Sequence, residues 1–458
     1  MTRTDKKIVI LGFGNIGQAI IPLLKKHFAD RNIWIIEQAL DRYQAELVQE
    51  YGMHVIPTRV LRDNYLEVLS PMLETGDFLL NLATSISSKD LIDLAQANGS
   101  FYLDTCIDPW TYSHSENGID TSNYFLREQL LELRSGSEGK PTAIVAHGAN
   151  PGYVSILVKH ALIRMATKFG VPFQTPKSKN EWAKLAKDLD VRVVQISERD
   201  TQVGTTKRTD GEFVNTWSVD GFVTECLQPA EMGWGTHEVE LPKYSRSHAY
   251  GSKAAIYIEQ PGFTIRVKSW SPNYLDFDAY LITHNEAISI ADYLTYREDD
   301  LVSYRPTCYY AYHPCDEAVE SLSLLRNINA AEITSTRILK DEISSGIDEL
   351  GVFLISGTYP SLWMGSNLSI GKARKMAKHN NATSLQVVAS AVAGMAWAIE
   401  NPDRGVLESE DLDHEFIFDF ANEYWSPMVH QYINWRPRED ADELFFADFL
   451  VKPERHQP

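Results

Sequence analysis

Three glycines near the N-terminus, in the pattern Gly12-x-Gly14-x-x-Gly17, constrain the fold of this chain more than any other feature. They directly follow a short apolar run at 8–11 and open a stretch with helical spacing at 16–28. In a strand–turn–helix unit the first glycine permits a tight turn, the second lets a ligand approach the backbone, and the third lets helix and strand pack closely. Free N–H groups at the start of the helix favour an anionic group there.

The acid Glu37 strengthens this interpretation, because it ends the second apolar run at 33–36, twenty residues after Gly17. A carboxylate at that place accepts hydrogen bonds from ribose hydroxyls and repels a 2′-phosphate. The spacing therefore predicts a dinucleotide site that prefers NAD to NADP. We expect Asn15 and Ile16, which lie within the glycine turn, to contribute to it.

Apolar runs alternate with helical spacing through residues 1–150, which predicts an NAD-binding Rossmann-type domain, a doubly wound parallel sheet of six strands. Pro22, early in the first helix, predicts a kink. Asn81, Thr84 and Ser85 come at the end of the fourth strand, where they are expected to line the nicotinamide half of the site. Five of the six strands are recognisable, at 8–11, 33–36, 77–83, 100–106 and 142–147, and the helices are 16–28, 39–51, 63–74 and 88–98.

The pattern changes after Pro151-Gly152, because 191–270 contains successive strand and turn signals with few helical stretches. We expect a second domain of the α+β class over 151–380, with ligands bound between the two domains. Polar, glycine-bearing stretches at 235–252 and 355–371 are predicted as loops within it.

The C-terminal part, 381–458, contains an apolar helix at about 384–399. Its many small and apolar residues predict a buried helix that returns to pack on the first domain. The longest apolar stretch, Val387–Ile399, is shorter than the ~18 residues that a membrane span needs. The sequence therefore predicts no membrane partner.

Charge and cysteine content narrow the class further. The net charge is −19, which argues against nucleic acid as a partner because phosphate binding needs clustered Lys and Arg. Four cysteines form no CxxC pair, which predicts a reducing compartment, with the cytoplasm as the default. The segment Thr307–Cys315 carries thiols and an imidazole but no second ligand pair, so we predict no metal site.

Candidate chemistry lies at strand ends and in three stretches of the second domain. Asp108 follows the fifth strand, and Asn150 follows the sixth at the turn that leads into the second domain. Ligands in doubly wound sheets bind beyond these strand ends. The stretches 197–201, 215–225 and 283–286 concentrate acids, a tryptophan and a histidine. Spacing alone leaves the role of each open between ligand binding and structure.

A resemblance assigns these residues a function. The chain resembles bacterial homospermidine synthases, which are related to the saccharopine dehydrogenase group, and the resemblance extends nearly end to end. The chain departs from the family pattern at two positions. Glu37 stands where Asp is also expected, and Asp108 stands where some relatives carry Glu. The segments that carry it are VILGFGNIG, GANPG, ISERDTQ, FVNTWSVDGF, GWGTHE, LITHNEAISIAD, RPTCYYAYHPC and GIDELGV.

The resemblance implies a reaction without net redox change. NAD takes a hydride from an amine-bearing carbon of putrescine, or of spermidine, and the imine is attacked by a second putrescine. Ammonia, or 1,3-diaminopropane from spermidine, leaves, and the hydride returns to give homospermidine.

The resemblance also implies residue roles. Trp217 would offer its ring to a cationic intermediate, and Glu225 would hold the remote ammonium. The residues assigned to the reacting amine are Asp108, Asn150, Glu198 and His284. No single general base is singled out. A homodimer through the second domain is expected from the resemblance as well.

Two alternatives stay open on the sequence. A saccharopine-type or carboxypolyamine-type imine reductase would need an Arg or Lys clamp for substrate carboxylates, and Arg199 and Arg266 are its candidates. A non-enzymatic NAD-binding redox sensor would also carry the glycine turn, but it has no need of acids facing the nicotinamide.

Overall fold

The computed structural model of the chain describes residues 6–112, 119–326 and 333–452, so the last six residues of the predicted C-terminal part lie outside the described ranges. Strands and helices alternate up to residue 144, as the apolar pattern predicts. They are β1 (Lys7–Leu11), α1 (Asn15–Ala19), α2 (Ile21–His27), β2 (Asn32–Ile36), α3 (Arg42–Tyr51), β3 (His54–Ile56), α4 (Tyr65–Leu69), β4 (Phe78–Asn81), α5 (Ser88–Ala97), β5 (Phe101–Asp104), α6 (Asn123–Arg134) and β6 (Ala143–Ile144).

The middle of the chain is richer in strands. Its elements are α7 (Tyr153–Phe169), α8 (Lys179–Asp188), β7 (Val191–Asp200), β8 (Val203–Gly204), β9 (Glu212–Asn215), α9 (Val219–Leu227), β10 (Pro229–Gly233), β11 (Ser245–Ser247), β12 (Ala255–Pro261), β13 (Arg266–Ser271), β14 (Leu275–Ile282), α10 (Asn285–Tyr293), β15 (Tyr296–Glu298), β16 (Leu301–Tyr304), β17 (Thr307–His313), α11 (Asp316–Ser321), β18 (Ser335–Ile338), β19 (Ile343–Ser345), β20 (Ile347–Ser356), β21 (Ser361–Ser369) and α12 (Ile370–Met376). The chain closes with α13 (Ala382–Glu400), β22 (Val406–Leu407), α14 (His414–Ala421), β23 (Met428–Ile433) and α15 (Phe446–Phe449).

The first sheet is parallel throughout and has the strand order β22-β6-β5-β4-β1-β2-β3. Its first six strands follow the 3-2-1-4-5-6 order of a dinucleotide-binding fold, which confirms the predicted fold class. The seventh strand, β22, comes from the C-terminal part of the chain and extends the sheet beyond β6.

Pro22 interrupts the first helix, as the sequence predicts. Helix α1 ends at Ala19 and α2 begins at Ile21, with the proline in its first turn. Proline has no N–H, so it cannot donate to the carbonyl of Gln18 four residues earlier.

The second sheet is mixed and follows the order β11-β12-β10-β17-β7-β20-β21-β23, with β14 joining β17 and β13 joining β14. Strand β7 lies near its centre, parallel to β17 and antiparallel to β20. The predicted loop at 355–371 is wrong, because most of it is β21, which pairs with β20 and is largely buried. Its serines, asparagine and glycine suggest a loop, but Gly365 passes so close to Gly351 that a Cβ there would come 2.4 Å from that Cα atom.

Helix α13 has the length and hydropathy of a membrane span, with a mean hydropathy of 1.5, but 83% of this apolar window is buried inside the protein. It packs on α1 and α2, on strand β5 of the first sheet and on β20 of the second. Just before it, the side-chain amide of Asn380 donates to the carbonyl oxygen of Ala19 at 2.8 Å. The helix therefore contacts both sheets and helps to hold them in one arrangement.

Candidate active site

The glycine turn after β1 has the geometry that a pyrophosphate needs. Gly12 has φ of +84°, and a Cβ at Gly17 would come 2.5 Å from the carbonyl oxygen of Gly12. A Cβ at Gly14 would meet nothing within 4 Å, so the turn leaves open space there. The side-chain Nδ2 of Asn15 is buried and has no hydrogen-bond partner. A phosphate oxygen would satisfy such a donor, so these residues fit a dinucleotide.

The carboxylate of Glu37 is held in place by the backbone. The N–H of Phe13 donates to one of its oxygens and the N–H of Gln38 to the other, each at 2.9 Å. Two acceptor oxygens are thus positioned beside the glycine turn, where ribose hydroxyls can donate to them.

A single cavity of about 1400 Å³ runs from the glycine turn to the second sheet. The predicted site residues converge on it, with the exception of Gly17, which packs against the turn instead. Those that line it are Gly12, Gly14, Asn15, Ile16, Glu37, Asn81, Thr84, Ser85, Asp108, Asn150, Glu198, Trp217, Glu225 and His284.

Asp108 lines the cavity beyond the end of β5. Its carboxylate accepts from the backbone N–H of Ser85 at 3.2 Å and from the hydroxyl of Tyr112. Nearby, the side-chain oxygen of Asn81 accepts from the N–H of Ala83 at 3.3 Å. Burial raises the pKa of Asp108 to about 7, so it can gain or lose a proton near neutral pH.

Glu198 lies on β7, almost fully buried at 2% exposure. It accepts from the hydroxyl of Tyr310 at 2.6 Å and from Nδ2 of Asn150 at 3.2 Å. Burial raises its pKa, and the charge of Asp200 raises it further. A carboxyl group with a raised pKa is suited to general acid–base catalysis.

His284 is clamped between two carboxylates. Its Nε2 lies 3.1 Å from Glu225 on α9, and its Nδ1 lies 3.1 Å from Glu286 on α10. The ring also packs on Tyr310, with centroids 4.4 Å apart. Burial alone lowers the pKa of His284, but the attraction of Glu286 and Glu225 outweighs it and raises the pKa well above its usual value.

This contact bears on the role expected for Glu225. The resemblance implies that Glu225 and His284 serve different ends of a diamine, but their side chains touch. A substrate ammonium that approaches one of them is therefore within reach of the other.

Trp217 presents a half-buried indole to the cavity. Its Nε1 donates to the hydroxyl of Tyr312 at 3.4 Å, and its ring packs on Phe222. A Cβ at Gly221 would come 3.1 Å from the indole, so the glycine leaves room for the ring. An aromatic face in an acid-lined cavity suits a cation.

The arginines that a carboxylate-binding reductase would use point elsewhere. Arg199 donates to the carbonyl oxygen of Pro314 at 3.0 Å and pairs with Asp316, and Arg266 pairs with Asp278 at 3.7 Å. Neither lines the cavity.

Basic side chains do line the cavity among the described residues. Arg59 and Arg62 follow β3, the strand beside Glu37, and Lys340 donates to Gln18 of α1 at 3.2 Å. Arg337 is paired with two carboxylates of the second domain. Lys340 therefore lies at the glycine-turn end of the cavity, and Arg59 and Arg62 follow the strand that pairs with β2, which ends just before Glu37.

Three side chains of the site were given no role by the sequence. Glu286 follows His284 by two residues, which is the one signal that could have indicated it. Tyr310 and Tyr112 look like ordinary aromatic residues in sequence, and only their hydroxyl contacts with Glu198 and Asp108 indicate a role.

Comparisons with known proteins agree with this geometry. Residues 8–144 match the saccharopine dehydrogenase NADP binding domain, and residues 148–431 match the saccharopine dehydrogenase C-terminal domain. The chain is 44% identical to homospermidine synthase of Blastochloris viridis, over 97% of this chain and 95% of the relative. It is 40% identical to homospermidine synthase of Mesorhizobium japonicum, over 96% and 93% of the two chains.

A solved structure has the same overall fold. The crystal structure of homospermidine synthase from Legionella pneumophila, in complex with NAD, aligns with a TM-score of 0.91 at 39% identity and covers 98% of both chains. With relatives of this similarity over nearly the whole length, the chain belongs to the homospermidine synthase family.

Proposed function

We propose that this chain is an NAD-dependent homospermidine synthase, which transfers an aminobutyl group from putrescine to a second putrescine and releases ammonia. The observation that carries the proposal is the acid-lined half of the cavity, where Asp108, Glu198 and Glu225 line the same cavity as the half-buried ring of Trp217. Putrescine is a dication in water, and these groups suit ammonium ions. The named relatives support the same activity.

The first task of the site is to bind one ammonium while the other loses a proton. The carbon that bears the amine can lose a hydride only after the amine nitrogen has lost a proton and so has a free electron pair. Asp108 and Glu198 can each accept that proton, because burial raises the pKa of both. Asn150 donates to Glu198 and so fixes the direction in which its carboxylate faces.

NAD, when bound at the glycine turn, supplies the hydride acceptor and later returns the same hydride. The residues of the chain move the protons that accompany these changes. Attack of the second amine on the substrate imine displaces ammonia, which must take a proton from the site to leave. Asp108, Glu198 and His284 can share that proton, so the acid–base role belongs to the group of three.

Trp217 and Glu225 handle positive charge in different ways. The indole face stabilises a cation without accepting a proton, so it suits the iminium form of the substrate. Glu225, already paired with His284, offers a carboxylate to an ammonium.

The decisive test is to incubate the purified protein with putrescine and a small amount of NAD, and to measure homospermidine and ammonia. We expect many product molecules per NAD and no lasting rise in NADH absorbance. Stoichiometric NADH would indicate an ordinary amine dehydrogenase. Consumption of added NADH with a keto acid would indicate the imine reductase. Absence of turnover with all of these substrates would indicate the non-enzymatic redox sensor.

Assembly and location belong to the same proposal. We expect a homodimer through the second domain, and the exposed apolar side chains of Val239, Leu241 and Tyr244 in that domain support it. Light scattering that gives the mass of one chain would contradict the dimer. All four cysteines are free, which supports a cytoplasmic protein. Fractionation of cells that produce the protein tests the location.

A further inference from the structure

Three buried carboxyl groups lie on one face of the second sheet, behind the cavity. Glu198 and Asp200 are two residues apart on β7, and Asp348 of β20 is paired directly with Asp200. Side chains two residues apart on a strand share a face, and so do directly paired residues of antiparallel strands. Asp200 and Asp348 are fully buried, and Glu198 is exposed only at the cavity.

The three carboxyl groups differ in their partners. Asp200 accepts from the N–H and the side-chain amide of Gln202 and from the hydroxyl of Thr216. Glu198 accepts from a tyrosine and an asparagine, as described above. Neither oxygen of Asp348 has a hydrogen-bond partner, although Glu198 and Thr383 lie within reach of it.

No basic side chain among the described residues forms an ion pair with Glu198, Asp200 or Asp348. The titratable groups that face Glu198 and Asp348 are Asp200, His284, Tyr310 and Tyr312. Of these, only His284 carries positive charge, and it is already held between two other carboxylates.

An ionised Asp348 would be a buried charge with no ion-pair partner among the described residues, and the donor within its reach is the neutral hydroxyl of Thr383. A carboxylate can only accept hydrogen bonds, so two ionised carboxylates side by side satisfy neither group. A protonated carboxyl group has one O–H to donate. A single proton between Asp348 and Glu198 therefore removes one charge and supplies the missing hydrogen bond.

We propose that Asp348 and Glu198 share one proton, and that Asp348 is a positioning residue that sets the charge of Glu198 in the reaction. This inference rests on the proposed function. The substrate ammonium gives its proton to the ionised Glu198: an N–H bond breaks, an O–H bond forms, and the pair now holds two protons. The proton returns when ammonia leaves. Burial and the neighbouring carboxyl groups raise the pKa of Asp348 well above its usual value, in agreement with this arrangement.

The test is infrared spectroscopy of the NAD-loaded protein without diamine, in wild type, Asp348→Asn and Glu198→Gln. It is recorded above pH 7, because burial raises the pKa of other buried acids to about 7 and these must be ionised; they are Asp108, Glu231, Glu238 and Glu410. We expect the carbonyl band of a protonated carboxylic acid in wild type and its loss in both variants. In Glu198→Gln the new amide donates to Asp348, which can then ionise.

The control is Glu238→Gln, which removes a buried carboxyl group that lies outside the cavity between Thr307 and Phe446. It should keep the band. Retention of the band in Glu198→Gln would show that Asp348 holds its proton alone, and a wild-type spectrum without the band would show that no proton is held. Either result overturns the proposal. Retention of the band in Asp348→Asn would likewise show that Glu198 holds its proton alone and would overturn the proposal.

A kinetic readout separates this role from simple packing. In wild type the pair loses its shared proton at alkaline pH and becomes doubly charged, which gives an alkaline limb in kcat/KM for putrescine. Asp348→Asn should lose that limb, whereas a purely structural role would lower stability and leave the profile unchanged. The infrared result needs no turnover, so a protein that shows the shared proton but makes no homospermidine contradicts only the proposed function.

Discussion

Nε2 of His284 lies 3.1 Å from a carboxylate oxygen of Glu225, although the two residues are 59 positions apart in the chain. Because Glu286 holds the other ring nitrogen, both carboxylates favour the charged imidazolium. Because the pKa of His284 is raised in the folded state, its protonation stabilises that state, and this contribution is fully present below the ordinary His pKa near 6.5. That contribution is lost as pH rises through the higher pKa of the folded protein.

Glu225→Gln should therefore lower the pKa of His284, since one of the two charges is removed while the shape of the side chain is kept. NMR titration of the imidazole resonances measures the shift. Diamine use should weaken and NAD binding should stay intact. Glu298→Gln, an exposed acid of the second domain that does not line the cavity, is the matched control. If the pKa of His284 and the use of diamine are both unchanged in Glu225→Gln, the Glu225 carboxylate serves neither His284 nor the substrate.

The role of Trp217 can be tested by grading its replacements. If the ring face stabilises a cation, activity should fall in the order Trp, Phe, Leu, because Phe keeps a weaker quadrupole and Leu only apolar bulk. Loss of the full ~2 kcal/mol corresponds to roughly a 30-fold slower chemical step. Single-turnover kinetics measures it.

Tyr312→Phe is the control for Trp217, because it removes the acceptor of the indole N–H and leaves the indole itself unchanged. A Trp217→Leu protein that folds normally and runs at full rate would mean that the indole serves only the core.

Glu37→Ala should narrow the preference for NAD over NADP. Repulsion between unit charges about 4 Å apart is worth about 1 kcal/mol or more, so the relative use of NADP should rise roughly fivefold or more. The ratio of kcat/KM for the two cofactors measures this. Glu46→Ala, an exposed acid on α3, should leave the ratio unchanged. Equal activity with both cofactors in the wild-type protein would refute the ribose assignment.

Arg127 joins three parts of the chain, because its guanidinium on α6 pairs with Glu408 at 2.6 Å and with Asp292 of α10 at 2.9 Å. Arg127→Ala leaves buried carboxylates without this partner and should cost about 3–5 kcal/mol in the free energy of unfolding. Arg134→Ala, whose side chain on the same helix is 39% exposed, should cost at most about 1 kcal/mol. Urea unfolding measures both, and equal losses would contradict the buried ion pair.

The ion pairs of Arg127 also make the free energy of unfolding depend on pH. Burial would raise the pKa of Asp292, but Arg127 and Lys179 outweigh it and lower the pKa to about 2. Its stabilising contribution is therefore present above the ordinary Asp pKa near 3.9 and is lost as pH falls towards 2. In Arg127→Ala only Lys179 remains, so the loss should begin at a higher pH.

Features contained in one continuous stretch could be predicted from the sequence. The glycine turn, Glu37 and the helix break at Pro22 each depend on residues within a single strand–turn–helix unit, and the structure has the turn and the break as expected. The resemblance to homospermidine synthase likewise rests on continuous segments, and the comparisons confirm it. The short strand His54–Ile56 has too few residues for a periodic signal, so its position was not predicted.

Pairings between distant strands and helices were decided only by the tertiary structure. Side-chain period shows that Glu198 and Asp200 share a face, but only the register of β20 against β7 places Asp348 beside them. The clamp on His284 likewise needs α9 and α10 to meet at the cavity. The sequence by itself determined the dinucleotide turn and the family, because those signals are local. Which carboxyl groups touch, and so which pKa values rise, depends on long-range pairing and burial that no local pattern contains.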